Sequence, residues 1–420
     1  MKISKLAWGS LALIAGLGLA ACGGGGGSST ASTPTNNTSV GVITGFGSVY
    51  VNGCEYETDS ASITVEGQSG SEDDLSVGDV VEVSGPANCT RASASSIKYA
   101  DELEGVVDSN AVSGGIGTMI VMGQNITVND MTIFEDDTAS IASVDDIATG
   151  HVVEISGFGI GSGDIVATRI EVKATSLASY TDEIELKGVI TAHDDINQTF
   201  MIGNLTIDYG SQPAILDDLV AIDNDLYVEV KASVYTPGSL TLVATKVERE
   251  DDGEIGHQGD DDEEYEIKGM LTAAYDADSR AFGINDQMVL IDDNTELEDI
   301  SLADLNAGNL GSLYMEVEGN FNADGMLVAE EVGLEDDDVN DSNEVSGYVS
   351  NLVTTDNNNG TLTVAGVNLT VTNDSIMQDS EGATPETKFN LSFLRDGDFV
   401  EVHYDAASGL VSKLERDDTI

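Results

Sequence analysis

The stretch Gly78-Asp79-Val80-Val81-Glu82-Val83-Ser84-Gly85 returns four more times along the chain, with changes. It reads GHVVEISG at Gly150 to Gly157, NDLYVEVKA at Asn224 to Ala232, GSLYMEVEG at Gly311 to Gly319 and GDFVEVHY at Gly397 to Tyr404. In the third copy Leu226, Val228 and Val230 alternate with Tyr227, Glu229 and Lys231. Period two with one apolar face is the mark of a half-buried β-strand. A strand repeated at this spacing makes a unit of about 65–80 residues the object to explain.

Outward from that strand, each unit opens with a short apolar run broken by glycine. Examples are Gly41-Val42-Ile43, Leu103-Glu104-Gly105-Val106-Val107 and Ile267-Lys268-Gly269-Met270-Leu271. Glycine inside a strand pattern points to a bulge or a close backbone approach. Hairpin signals follow, such as Asp356 to Gly360, and lead into runs such as Thr361-Leu362-Thr363-Val364 and Val367-Asn368-Leu369-Thr370-Val371. Closing strands include Ala167-Thr168-Arg169-Ile170 and Ala329-Glu330-Glu331-Val332. The segments Ala139 to Ala148, Ile215 to Ala221 and Leu302 to Asn306 each have room for one helical turn.

Five or six short strands with glycine turns predict an all-β chain of five tandem antiparallel barrels or rolls, OB-like in strand count. The units span residues 40–100, 101–173, 183–249, 265–334 and 344–416. Acidic blocks at 250–264 and 335–343 read as solvated linkers.

The formal charge of −60, from 76 acidic and 16 basic residues, disfavours nucleic acid and anionic headgroups as partners. Cations, basic proteins and polysaccharides stay open as partners. No HExxH, GxSxG, GxxxxGK[ST] or CxxC pattern occurs, so zinc hydrolysis, serine catalysis and nucleotide binding lack their usual parts. The four histidines, His151, His193, His257 and His403, are scattered. The expectation is a non-enzymatic protein without a resident cofactor.

The first 21 residues read as a secretory signal, with Lys2 and Lys5 ahead of an apolar run from Leu6 to Leu19. That run ends in Leu19-Ala20-Ala21-Cys22, which resembles the lipobox of bacterial lipoproteins. The resemblance implies diacylglycerol and palmitate on Cys22 after cleavage. Gly23 follows it in place of an aspartate, which points to the outer membrane of the cell envelope, periplasmic or surface face undecided. Residues 22–39 form a Gly/Ser-rich tether reaching roughly 20–25 Å as a coil. Cleavage also removes Trp8, the only tryptophan, which counts against an aromatic sugar platform. In an oxidising compartment the remaining pair, Cys54 and Cys89, is expected to form a disulfide.

Two further readings concern acids. Glu82, Glu154, Glu229, Glu316 and Glu401 recur on the face opposite the apolar one and read as solvated glutamates that discourage edge pairing. Asn320, Asn322, Asp324 and Glu331 match the ligand spacing of an EF-hand loop, with Gly325 at the turn. The repeat sets this segment between strands, so a hairpin with weak calcium association is expected.

The motifs Val40 to Gly53, Leu75 to Gly85 and Ile165 to Lys173 resemble a bacterial family of secreted or lipoprotein β-repeats, domain of unknown function 5666. The resemblance implies a repeated β-architecture outside the cytoplasm and brings no reaction. Taken together, the chain is expected to be a lipid-anchored envelope protein presenting acidic units for binding, adhesion or envelope organisation. The alternative is calcium-dependent binding through the acidic loops and linkers.

Overall fold

In a computed structural model the described residues are 38–86, 89–160, 163–211, 214–217, 219, 221–224, 226–249, 265–285, 287–322, 326–335, 343–380 and 386–417. The stretch read as a signal (1–21), Cys22, most of the stretch read as a tether (22–39), His257, Asp324 and nearly all of 250–264 and 335–343 lie outside them. Among the described residues the regular structure is β, with single 3-10 turns at Glu72–Asp74, Val144–Asp146 and Leu177–Ser179. Of the three segments with room for a helical turn, Ala139 to Ala148 contains one of these, whereas Ile215–Asp217 is extended.

One topology is used five times. In the second unit the opening strand Leu103–Asn110 pairs with the first hairpin strand Gly117–Val121. That strand pairs with Gln124–Val128, which lies parallel to the closing strand Asp164–Ala174. The closing strand pairs with Val152–Ile160, which carries Glu154, and this strand pairs back with the opening one. The fourth unit repeats each of these pairings, with Tyr265–Asp276 as its opening strand.

The opening strand divides its edge. Except in the fifth unit, where among the described residues the strand pairings of Asn343–Thr354 stay within that unit, its first half is hydrogen-bonded to a different unit and only its second half takes its own hairpin. Leu103 and Glu104 thus face Leu186 and Glu185 of the third unit. Likewise Thr38–Val40 lies parallel to Tyr265–Ile267 of the fourth. Where the strand changes partner stands the recurrent glycine. A Cβ on Gly41 would lie 2.0 Å from Asn52 Oδ1, and one on Gly105 2.5 Å from Met122 Cε. The strand can fold over its own hairpin there only because no side chain is present.

This corrects the expectation of five closed, OB-like barrels. Because the edges are shared, the sheets run from unit to unit in a stacked, solenoid-like β-assembly. Units one and four share a 14-stranded sheet, and units two and three a 10-stranded one. The apolar core follows the sheets. One cluster runs from Leu103 to Val247 through the second and third units, and Val40 joins the core of the fourth. Val42, Phe158, Val166 and Met270 bring units one, two and four together. The fifth unit docks on the first through polar contacts. Asn390 Nδ2 donates to the Phe46 carbonyl at 3.0 Å, and Asn373 Nδ2 to that of Gly53 at 2.9 Å.

Candidate functional site

The shared sheet of units two and three sets a row of charges in register. Glu135 lies opposite Glu171, Glu171 opposite Glu154, and Glu154 opposite Glu104. Glu104 then faces Glu185 across the unit boundary, Glu185 faces Lys231, and Lys231 faces Lys246. Five glutamates in a row, on strands about 4.8 Å apart, repel one another. Such a row persists only where other groups answer its charge.

Arg169, two residues before Glu171 and on the same face, answers one end. Its guanidinium reaches Glu135 and Glu171 at 2.6 Å each, Glu154 at 3.5 Å and Asp79 of the first unit at 3.7 Å. Burial pushes the Glu171 carboxyl up, but Arg169, Asp137 and Lys173 outweigh it and hold it down at about 2. Lys173 bridges Glu154 at 3.1 Å and Glu171 at 3.3 Å. At the far end Lys231 holds Glu185 and lies 3.0 Å from Glu229.

The middle of the row is less well answered. Glu104 accepts a hydrogen bond from the Tyr180 hydroxyl, and burial pushes its carboxyl up to about 7. Beneath it lies Asp101, 2% exposed, in the short connector between the first and second units. Its N–H donates to Glu66 Oε1 at 2.6 Å, and Lys187 Nζ donates to its carbonyl. Its Oδ1 has no hydrogen-bond partner. Burial, reinforced by Glu66, raises the Asp101 carboxyl well above the usual range. One oxygen each from Asp101, Glu104 and Glu154 lies within 4.8 Å of the others, and so do oxygens of Glu66, Glu185 and Glu229. Glu66, Glu104, Glu154 and Glu185 border an open cleft of about 580 Å³.

The recurrent glutamates are therefore not edge guards. Every strand that carries one is paired on both sides. Glu82 pairs with Lys98 at 2.9 Å and Glu316 with Lys268 at 3.5 Å, while Glu229 is buried against Lys231. Only Glu401, 3.7 Å from His403, keeps a side chain as much as 46% exposed. The EF-hand spacing at Asn320 falls on a β-hairpin. Asn320 lies on Tyr314–Phe321 and Glu331 on Leu327–Leu334, and Asn322 accepts from Met326 N–H at 3.0 Å. Glu331 meets Glu296 and Glu298 instead, within 4.8 Å, beside a second cleft that Asn320 also lines. Cys54 and Cys89 are bonded, with Cα atoms 5.1 Å apart. Three histidines are described, in units two, three and five, and they do not converge.

Sequence reading missed Asp101, Glu104, Glu66, Glu185 and Lys187. A partial signal was present, since aligning the units places Glu104 and Lys187 just before the opening glycine and opposite the recurrent glutamate. The contact between units two and three had no such signal.

The fold and its clusters define a tandem-repeat β-protein with charge gathered at unit junctions. The family described as a domain of unknown function, DUF5666, matches residues 40–97, 104–171, 187–248, 268–333 and 346–411. The chain belongs to that family. No curated protein matches it.

Proposed function

We propose that this chain is a non-enzymatic, lipid-anchored protein of the cell envelope whose linked acidic units bind a partner of positive charge. The observation that carries the reading is the acid excess, 76 residues against 16, spread over units that share their sheets. Interlocked sheets hold acidic faces at fixed spacing, which favours multivalent attraction over a single deep pocket. The lipobox-like Leu19-Ala20-Ala21-Cys22 and the tether behind it support attachment at the outer membrane. Fractionation tests the anchor. Cys22→Ser is expected to move the chain from the membrane to the soluble fraction, and an unchanged distribution refutes lipid attachment. Retention of basic proteins by the full chain is expected to weaken steeply with salt, and salt-independent capture would count against charge as the basis.

A second reading rests on the exposed carboxylates of Glu296 and Glu298 and the half-buried one of Glu331. Oxygen-only ligands at an open edge suit calcium-dependent docking. Calorimetric titration with calcium, with magnesium as the control, separates the readings. Saturable heats for calcium alone favour the second, and equal weak heats for both ions leave the first.

A further inference from the structure

We propose that Asp101, Glu104 and Glu154 form a half-buried calcium site that clamps the connector between the first two units onto the sheet of the second. The site is separate from the exposed cleft of the fourth unit and does not depend on it.

The spacing suits the ion. Calcium–oxygen bonds of 2.3–2.6 Å put ligands on opposite sides of the ion about 4.6–5.2 Å apart. One oxygen from each of the three residues already lies within 4.8 Å of the others. The independent observation is Asp101 itself. Its side chain is buried, its Oδ1 lacks a hydrogen bond, and its backbone is pinned on both sides by Glu66 and Lys187. A buried carboxylate oxygen without a partner is costly, and a cation within its reach removes that cost.

Within the described residues the protein's own cations reach Glu154 but neither of the other two carboxylates. Lys187 serves the Asp101 carbonyl and lies 3.7 Å from Glu66, while Lys173 and Arg169 link Glu171 to Glu154, at 3.1 Å and 3.5 Å from the latter. Among the described residues no lysine or arginine stands within ion-pair distance of the Asp101 or Glu104 carboxylates. Tyr99 and Tyr180 instead donate hydroxyls to Glu154, at 2.9 Å, and to Glu104. They orient those carboxylates as outer-shell donors do, and Glu154, already held by Lys173 and Arg169, would share its oxygens with the ion, whereas Asp101 and Glu104 have no cation of their own among the described residues. The cleft bordered by Glu104 and Glu154 supplies an entry path. Hard oxygen ligands without histidine or cysteine point away from zinc and copper. Magnesium, with its shorter bonds and strict octahedron, fits this spacing less well.

Terbium tests the site, because it takes calcium's oxygen ligands and emits when a nearby tyrosine is excited. With the full chain stripped by chelator, terbium emission sensitised by Tyr99 and Tyr180 is expected to saturate. Calcium should displace it, and magnesium at the same concentration should not. Asp101→Asn should weaken calcium by at least about 100-fold, whereas Asp59→Asn, at an exposed carboxylate of the first unit, should leave the emission unchanged. Thermal unfolding gives a second readout that excludes simple misfolding. Without calcium, Asp101→Asn should melt above the wild type, since a buried carboxyl with an unpartnered oxygen is gone. With calcium only the wild type should gain stability. Emission that survives Asp101→Asn, or is lost in Asp59→Asn, overturns the site. A wild type indifferent to calcium while Asp101→Asn is stabilised also overturns it, since protons alone then satisfy the cluster.

Discussion

Arg169 is the residue on which the charge row depends. Four carboxylates from four segments converge on its guanidinium, which is 4% exposed. Removing it leaves buried like charges facing each other, so Arg169→Ala is expected to cost about 3–5 kcal/mol in chemical denaturation. Lysine should restore little, because it lacks the planar fork. The raised carboxyls set the pH dependence. Burial lifts Glu66, Asp79 and Glu104 each to about 7. The folded state then holds protons that the unfolded chain releases, so the contribution of these three groups to metal-free stability is fully present only below the ordinary carboxylate range. It falls as pH rises through about 7. Denaturation midpoints in chelator at constant salt should therefore drop between roughly pH 5 and pH 8. The drop should be smaller in Glu104→Gln, and an equal drop would place its cause elsewhere. The alternation of Glu154 and Glu229 was legible in the sequence. Their burial was not, since it comes from strands paired on both flanks.

At the level of elements, the glutamate strand ends in a bulge where its register with the closing strand slips, between Ser156 and Gly157 and again between Glu318 and Gly319. A Cβ on Gly157 would stand 2.3 Å from the Val166 carbonyl, and one on Gly319 2.2 Å from that of Val328. Backbone cannot yield there as a flexible side chain would. Gly157→Val is expected to destabilise by about 1–3 kcal/mol, read from the unfolding midpoint, whereas the same change at solvent-open Gly333 should do little. Strand positions were the most legible part of the chain, because period-two alternation and turn glycines are local signals. The divided edge of the opening strand was not legible. Gly105 announces close approach, but nothing near it announces Glu185.

Over the whole molecule, the sequence suggested units in series, and the structure pairs the first with the fourth and the second with the third. Side chains add further links. Lys388 Nζ donates to the Glu72 carbonyl at 2.7 Å, and Gln378 Nε2 to that of Phe134 at 3.1 Å. Shared sheets and cores should make unfolding cooperative, so calorimetry is expected to show one main transition. Removal of residues 344–420 should lower its temperature. Five resolved transitions, unmoved by the truncation, would mean that the contacts between units carry no energy. Such long-range pairing leaves no local trace in composition or periodicity, which is why the order of units along the chain misled.

The parallel pairing of Thr38–Val40 with Tyr265–Ile267 also has a consequence in time. The two segments are separated by more than two hundred residues. At ordinary rates of synthesis the second emerges about ten to fifty seconds after the first. During that interval the start of the first opening strand presents unpaired backbone, open to another nascent chain. A ribosome or an export channel therefore delivers an unfinished sheet, and whatever escorts the newborn polypeptide must shield that strand until its distant partner arrives.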